Sequence, residues 1–324
     1  MKIGILGATG YTGVELLRLL ASHKGVQISW LTSEKFAGES ISDVFPHFKD
    51  ILDIKCYSVR NLSELEQVDL VFSCLPHGTS KHFVNKMLDK GSRVIDFSSD
   101  FRSSNKSAYG LPEINNDQIM EAKLVANPGC YATSVILGLA PLAHEGLLSK
   151  DSIVADIKSG LSGAGRAPSL EHHFSESNEG ISLGSASAQN QETEMEEQLY
   201  LLNQSKVHVS FMPHNVSIDR GILATIYTRL NKKTSTQQAH KIYNEYFSDK
   251  KFVRVLGLGE YPSTKNVRFS NMCDIGIGNR EGLFIVVVAL DNLGKGASGQ
   301  AVQNMNLMFD FPETKGLMSS PIYP

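Results

Sequence analysis

At 324 residues the chain is long enough for one large or two medium domains, each with a substantial apolar interior. A 41% hydrophobic share, 20% charged residues and a formal net charge of -3 describe an ordinary globular composition with no electrostatic pull toward nucleic acid or an anionic membrane. The first strand pattern starts at Lys2 without a signal region, and no apolar run approaches bilayer length, so neither nucleic acid nor membrane is an expected partner and the expected location is the cytoplasm.

The first third alternates short apolar strands with amphipathic helices. Strands are expected at 2–6, 26–31, 69–75, 93–97 and 124–126, and helices at 13–22, 62–67, 80–89 and 116–122, with Ser63 and Glu66 as a capping box for the second. Repeated strand-to-helix units imply parallel pairing by right-handed crossovers. The expected fold is α/β, a Rossmann-type doubly wound sheet whose binding crevice lies at the strand carboxyl ends.

The first strand runs straight into Gly7-Ala8-Thr9-Gly10-Tyr11-Thr12-Gly13. Glycines three apart at a strand-to-helix junction permit a tight turn, close approach of a pyrophosphate to the backbone and helix-to-sheet packing, so dinucleotide binding is expected here. The second strand ends Leu31-Thr32-Ser33-Glu34-Lys35. Ser33 and Lys35 suit a 2′-phosphate, whereas Glu34 suits a free ribose hydroxyl, so NADP(H) and NAD(H) both stay open at this point. Cys74 ends its strand before Leu75-Pro76, near the expected cofactor position, and reads as packing.

Next comes Asn127-Pro128-Gly129-Cys130-Tyr131, followed by an apolar helix to about residue 144. Pro128 and Gly129 break the preceding strand, and the helix turns its free N–H groups and positive dipole end toward the Cys130 sulfur. A thiolate, the reactive form, is favoured there, although an isolated cysteine at a helix start is more often a small buried residue. Cys56, Cys74, Cys130 and Cys273 lack CxxC or CxxH spacing, so neither a disulfide framework nor a metal site is expected.

After about residue 150 the pattern changes. Strands at 153–158, 207–212, 222–230, 272–277 and 283–290, with one helix at 237–247, suggest a mixed or antiparallel sheet in an α+β second domain. Residues 160–191, rich in Gly, Ser and Ala, read as a long functional loop with a short helix. An apolar stripe over 299–309 suggests a last helix that returns to the first domain. The expected domains are 1–128 with 297–324 for the dinucleotide, and 129–296 for catalysis and oligomerisation. His214, where a strand meets a proline-bounded loop, is the best acid/base candidate among ten histidines.

Five stretches carry a specific resemblance: Gly7 to Gly13, Asp100-Phe101-Arg102 with Tyr109-Gly110-Leu111-Pro112-Glu113, Asn127 to Tyr131, Ser159-Gly160-Leu161-Ser162-Gly163-Ala164-Gly165-Arg166, and Pro213-His214 with Arg220-Gly221. With the tail Asp291-Asn292-Leu293-Gly294-Lys295-Gly296-Ala297-Ser298-Gly299-Gln300-Ala301, they make the chain resemble, end to end, the N-acetyl-gamma-glutamyl-phosphate reductases of the semialdehyde dehydrogenase superfamily. The resemblance implies an oxidoreductase of arginine biosynthesis that reduces the acyl phosphate to N-acetylglutamate 5-semialdehyde plus phosphate. Cys130 would be the nucleophile of a thioester route and His214 the general acid/base. NADP(H) would lie over the glycine loop, with Leu75, Pro76, Ser159, Gly160, Gly163, Asn292 and Gly296 as further contacts, and the assembly would be a homodimer or homotetramer. Arg102, Arg166 and Arg220, whose guanidinium forks match phosphate or carboxylate oxygens, and Asn127 are the candidates for the substrate.

Three departures stand out. Residues 188–195 replace a His-Arg-His-type motif, the segment between Arg102 and Tyr109 is short, and Glu34 stands where relatives often carry arginine. They leave open a reductase for a related N-blocked amino-acyl phosphate, or a catalytically silent nucleotide-binding paralogue.

Overall fold

The computed structural model describes residues 1–184 and 189–323. Residues 1–128 and 297–318 form one compact unit, and residues 129–296 with 319 onward form a second. The last residues had been expected with the first unit. They join the second because the Ile322 N–H bonds the Arg268 carbonyl and Lys265 sits 5.9 Å from the Tyr323 ring centre.

The first unit runs β1 (Lys2–Leu6), α1 (Tyr11–Ala21), β2 (Gln27–Thr32), α2 (Ile41–Val44), β3 (Cys56–Tyr57), β4 (Leu70–Ser73), α3 (Ser80–Asp89), β5 (Arg93–Asp96), β6 (Ala108–Tyr109), α4 (Pro112–Glu121) and β7 (Leu124–Ala126). The seven strands pair in parallel in the order β3-β2-β1-β4-β5-β7-β6. The order reverses at β1, which places a binding crevice beyond the carboxyl ends of β1 and β4. Leu70 to Ser73 are buried without alternation, as expected of a strand covered on both faces.

The helix expected at 62–67 does not form. Val59–Asn61 makes a 3-10 turn capped by the Ser58 hydroxyl, while Leu62 and Val68 drop into the core. So short a helix gains too few bonds to offset nucleation, and side-chain burial decides the path.

The second unit runs α5 (Cys130–His144), β8 (Ile153–Gly160), α6 (Phe174–Ser177), β9 (Ile181–Leu183), α7 (Gln189–Asn203), β10 (Val209–Val216), β11 (Ile222–Thr228), α8 (Thr236–Tyr246), β12 (Val253–Val255), β13 (Cys273–Arg280) and β14 (Leu283–Leu290). Its seven-stranded sheet has the order β12-β13-β14-β11-β8-β10-β9. The sheet is mixed, since β8 and β12 pair in parallel with β10 and β13 while the other pairings are antiparallel.

Helix α5 is buried from Ala132 to Ala143, as an all-apolar helix must be. A Cβ on its Gly138 would come within 2.8 Å of the Val288 side chain, so the helix lies directly on the sheet. Helix α7 is missing from the sequence expectation because its buried face mixes Met195 and Leu199 with Glu194 and Gln198, which leaves no apolar stripe.

Helix α9 (Gly299–Met308) closes the first unit against α1, α4 and β5. Its contacts are partly polar: His23 Nε2 lies 3.0 Å from Asn306 Oδ1, with Phe311 edge-on to the imidazole ring. Burial, with help from Lys315, holds the His23 pKa below its ordinary 6.5, against the Asn306 hydrogen bond, which raises it. The unfolded chain therefore binds the extra proton first, so this contribution is complete above 6.5 and shrinks as pH falls toward the folded value. The urea midpoint should drop between about pH 7 and pH 5, and His23→Gln should flatten that part of the profile. An unchanged slope in the variant would show that His23 is not its source.

Candidate active site

In the first unit the glycine loop joins β1 to α1 at the crevice. Gly7 has φ +75°, and a Cβ there would sit 2.8 Å from the Cys74 carbonyl, with the half-buried Leu75 side chain beside it. At Gly13 a Cβ would fall 2.5 Å from the Ala8 carbonyl, which holds α1 tight on the turn. Gly10 differs: a Cβ there would meet only the Gly7 carbonyl at 3.8 Å, so the protein's own packing does not demand glycine. That open backbone, at a helix start with no side-chain cap, fits a pyrophosphate.

Around the loop, Thr9 Oγ1 bonds Ser33 Oγ at 2.8 Å, and the Thr12 carbonyl accepts from the Ser298 hydroxyl at 2.7 Å. Tyr11 is 39% exposed and Pro76 is exposed, both at the rim. Burial pushes the Cys74 thiol up to about 12, against a hydrogen bond with Thr12, which agrees with a packing role. The Glu34 carboxylate accepts the Ser58 hydroxyl at 2.9 Å and the Val59 N–H at 2.6 Å, so it caps that 3-10 turn. Lys35 lies 5.3 Å from the Phe36 ring centre.

Three expected substrate residues have other employment. Arg102 donates from Nε to the Asn127 carbonyl at 3.0 Å and from Nη2 to the Phe97 carbonyl at 2.8 Å, bracing the chain ahead of Pro128. Asn127 is buried; its Nδ2 donates to the Ala297 carbonyl at 3.0 Å, and its Oδ1 accepts from Asn304 at 3.1 Å. Arg220, 8% exposed, grips Asp291 Oδ1 through Nε at 3.1 Å and Nη2 at 2.9 Å and lies 4.4 Å from the Phe269 ring centre. Asp291 is wholly buried and also accepts the N–H groups of Phe269, Leu293 and Gly294. These three side chains are therefore held by the protein's own hydrogen bonds, as buried charges and amides must be paired. Arg166, half-buried, follows the glycine turn at Gly165.

In the second unit, Cys130 is the first residue of α5 and is half-buried. A Cβ on Gly296 would lie 2.8 Å from the Cys130 Cβ, so only glycine lets the tail loop pass Cys130 this closely. Tyr131 packs 5.2 Å from the Phe211 ring centre, and its phenol is pushed up to about 12 by burial, then by Cys130, against a Ser159 hydrogen bond. Ser159 is buried, and Gly160 lies against the Asp219–Arg220 backbone. Asn292 accepts the Gly221 N–H at 2.8 Å and donates to Ser162 at 2.9 Å, with the exposed Gly163 facing both Ser159 and Asn292. The second-unit cofactor candidates thus cluster with Cys130.

Two residues absent from the sequence expectation touch the turn at Cys130. Glu194 accepts the Gly129 N–H at 2.9 Å, and Gln191 accepts the Ala132 N–H at 3.2 Å. Both belong to the atypical 188–195 stretch, of which Ala188 and the side chains of residues 189 and 190 lie outside the described residues. Polar residues on a helix give no periodic signal of such a role.

His214 pairs with Lys158 in the β10–β8 register. Its Nδ1 lies 3.1 Å from Asp156 Oδ1, though the ring N–H is not aligned on the oxygen, and Lys158 Nζ lies 2.5 Å from Asp156 Oδ2. Strand alternation sets this trio on the face opposite Phe211 and Ser159, so the register does not bring His214 to the side on which Tyr131 packs. Among the described residues no group of three or more His, Cys, Asp or Glu is arranged to hold a metal, and no helix is long and apolar enough to cross a membrane.

A parallel nucleotide-type sheet followed by a cysteine-bearing helix on a mixed sheet defines a class of dehydrogenase. Residues 2–122 match the family described as semialdehyde dehydrogenase, NAD binding domain, and residues 130–292 match semialdehyde dehydrogenase, dimerisation domain. Among solved structures, aspartate semialdehyde dehydrogenase II from Vibrio cholerae, complexed with ASA, superposes with TM-score 0.77 at 17% identity, covering 95% of this chain and 98% of that one. Aspartate semialdehyde dehydrogenase with NADP from Candida albicans gives TM-score 0.76 at 19% identity over 95% of this chain and 98% of that chain. Curated relatives called N-acetyl-gamma-glutamyl-phosphate reductase are nearer in sequence: 43% identical in Geobacter metallireducens and 44% in Alkaliphilus metalliredigens, each over 100% of both chains. The chain belongs to the semialdehyde dehydrogenase family, on its N-acetyl-gamma-glutamyl-phosphate reductase branch.

Asp291→Ala leaves the Arg220 guanidinium without its carboxylate and three backbone N–H groups without their acceptor. The expected loss is about 3–5 kcal/mol of unfolding free energy, read by urea denaturation.

Proposed function

We propose that the chain reduces N-acetyl-gamma-glutamyl phosphate to N-acetylglutamate 5-semialdehyde and phosphate in arginine biosynthesis, with Cys130 as the nucleophile. The observation that carries this reading is Cys130 at the first position of α5, in a chain whose relatives of that name match it end to end. The positive end of α5 favours the thiolate. Its sulfur attacks the acyl carbon, the carbon–oxygen bond to phosphate breaks, and a thioester forms on Cys130. The nicotinamide cofactor supplies a hydride when bound. The sulfur then leaves as a thiolate as the aldehyde forms, which returns Cys130 to its starting state.

The glycine loop would hold the pyrophosphate of the cofactor. NADP(H) is the assignment, because Glu34 is turned onto Ser58 and Val59, leaving Ser33 and Lys35 as the groups suited to a 2′-phosphate. Arg166, on the loop after Ser159 and Gly160, is assigned to the substrate anion, in place of Arg102 and Arg220. His214, near the carboxyl end of β10 with Asp156 beside its ring, is assigned the proton that the oxyanion takes up after hydride addition and gives back as the aldehyde forms, although strand alternation sets its side chain on the sheet face opposite Tyr131. A homodimer or homotetramer is proposed, with Val154 and Met212, 45% and 49% exposed, on the open sheet face available for assembly.

Cys130→Ser should lower turnover by about a thousandfold or more, while NADPH still binds and binds more tightly than NADH. Retained turnover would refute the covalent route, and an NADH preference would refute the Ser33 and Lys35 assignment. His214→Asn should lower kcat/KM by about a hundredfold, measured by NADPH consumption, since general acid-base catalysis contributes on that order. A kcat/KM equal to that of the parent chain would place the proton on another group.

A further inference from the structure

We propose that Glu194, together with Gln191, is a positioning residue for the Cys130 nucleophile, holding the backbone on both sides of it and setting the charge beside the sulfur. The inference rests on the reading of Cys130 as nucleophile. The geometry is a clamp. The Gly129 N–H, one residue before the cysteine, donates to Glu194 at 2.9 Å, and the Ala132 N–H, two residues after it, donates to Gln191 at 3.2 Å. From inside α5 the Thr133 hydroxyl donates to the Gly129 carbonyl at 2.9 Å. On the tail-loop side, Gly296 leaves no space beyond the Cys130 Cβ. The cysteine backbone is thereby fixed on several sides, two of them supplied by α7.

The two α7 side chains are chemically unlike. Gln191 is neutral, whereas Glu194 places a carboxylate, 3% exposed, at the positive end of α5. Such a carboxylate stabilises the helix but competes with a thiolate for the same field. The other charged groups around the turn are otherwise engaged. Tyr131 bonds Ser159, Lys295 is buried 5.9 Å from the Phe252 ring centre, and Asp291 is tied to Arg220. Elsewhere on α7, Glu192 accepts the Phe211 N–H and Glu196 the Val209 N–H, both on β10. Glu194 is bonded to the turn at Cys130 instead.

The test measures iodoacetamide alkylation of Cys130 in the full chain by mass spectrometry across pH, alongside kcat and KM. Glu194→Gln keeps an acceptor for Gly129 and removes the charge, so the alkylation profile should move down by about one pH unit, with the KM for NADPH unmoved. Glu194→Ala also loses the acceptor, and kcat should fall about tenfold or more. Gln191→Ala should lower kcat without moving the alkylation midpoint, because no charge is lost. Superimposed profiles for Glu194→Gln and the parent chain would overturn the proposal, even if Glu194→Ala fails to fold. Absence of any reactive thiol at residue 130 in the parent chain would instead defeat the nucleophile reading.

Discussion

The first turn of α5 must satisfy its backbone N–H groups beside the Cys130 sulfur, and much of the second unit is arranged around that requirement. Neither Gly129 nor Cys130 supplies a capping side chain, so the acceptors come from α7 through Glu194 and Gln191. The same helix serves β10, whose Val209 and Phe211 N–H groups are taken by Glu196 and Glu192. Helix α7 therefore buries a polar face. It exchanges part of the hydrophobic gain of an amphipathic helix for hydrogen bonds that would otherwise be missing, and an unmet buried N–H costs more than a made bond contributes.

The same principle redistributes the residues that look like substrate ligands. Arg220 faces Asp291 in a buried pair, and that carboxylate also gathers three backbone N–H groups, which makes it the knot of the tail loop. Arg102 is anchored on main-chain carbonyls, and Asn127 is locked to Ala297 and Asn304. Arg102 and Asn127 tie down the first unit's chain before Pro128, and Arg220 with Asp291 ties down the second unit's tail loop.

Much of the fold was legible because it rests on local patterns. Strands β1, β4, β5 and β14 are short apolar runs, and α5 is apolar all round, so composition alone separates them from their neighbours. The glycine loop was legible for the same reason, since Gly7 has a positive φ that its surroundings enforce. The expected helix at 62–67 failed because Leu62 and Val68 gain more from the core than one turn gains from its bonds. Helix α7 escaped notice because its buried positions 194 and 198 are polar, which only a known neighbour can explain.

By itself the sequence determined the two architectures, the place of the nucleotide loop and the cysteine that begins α5, since these follow from periodicity, glycine spacing and the chain-breaking Pro128-Gly129 pair. Tertiary structure alone decided what the charged residues do. A guanidinium or carboxylate has the same chemistry wherever it stands in the chain, and its role depends on which partner the fold brings within hydrogen-bonding distance. Arg220 and Arg102 became braces, Glu34 a cap for a neighbouring turn, and Glu194 the acceptor at the start of α5.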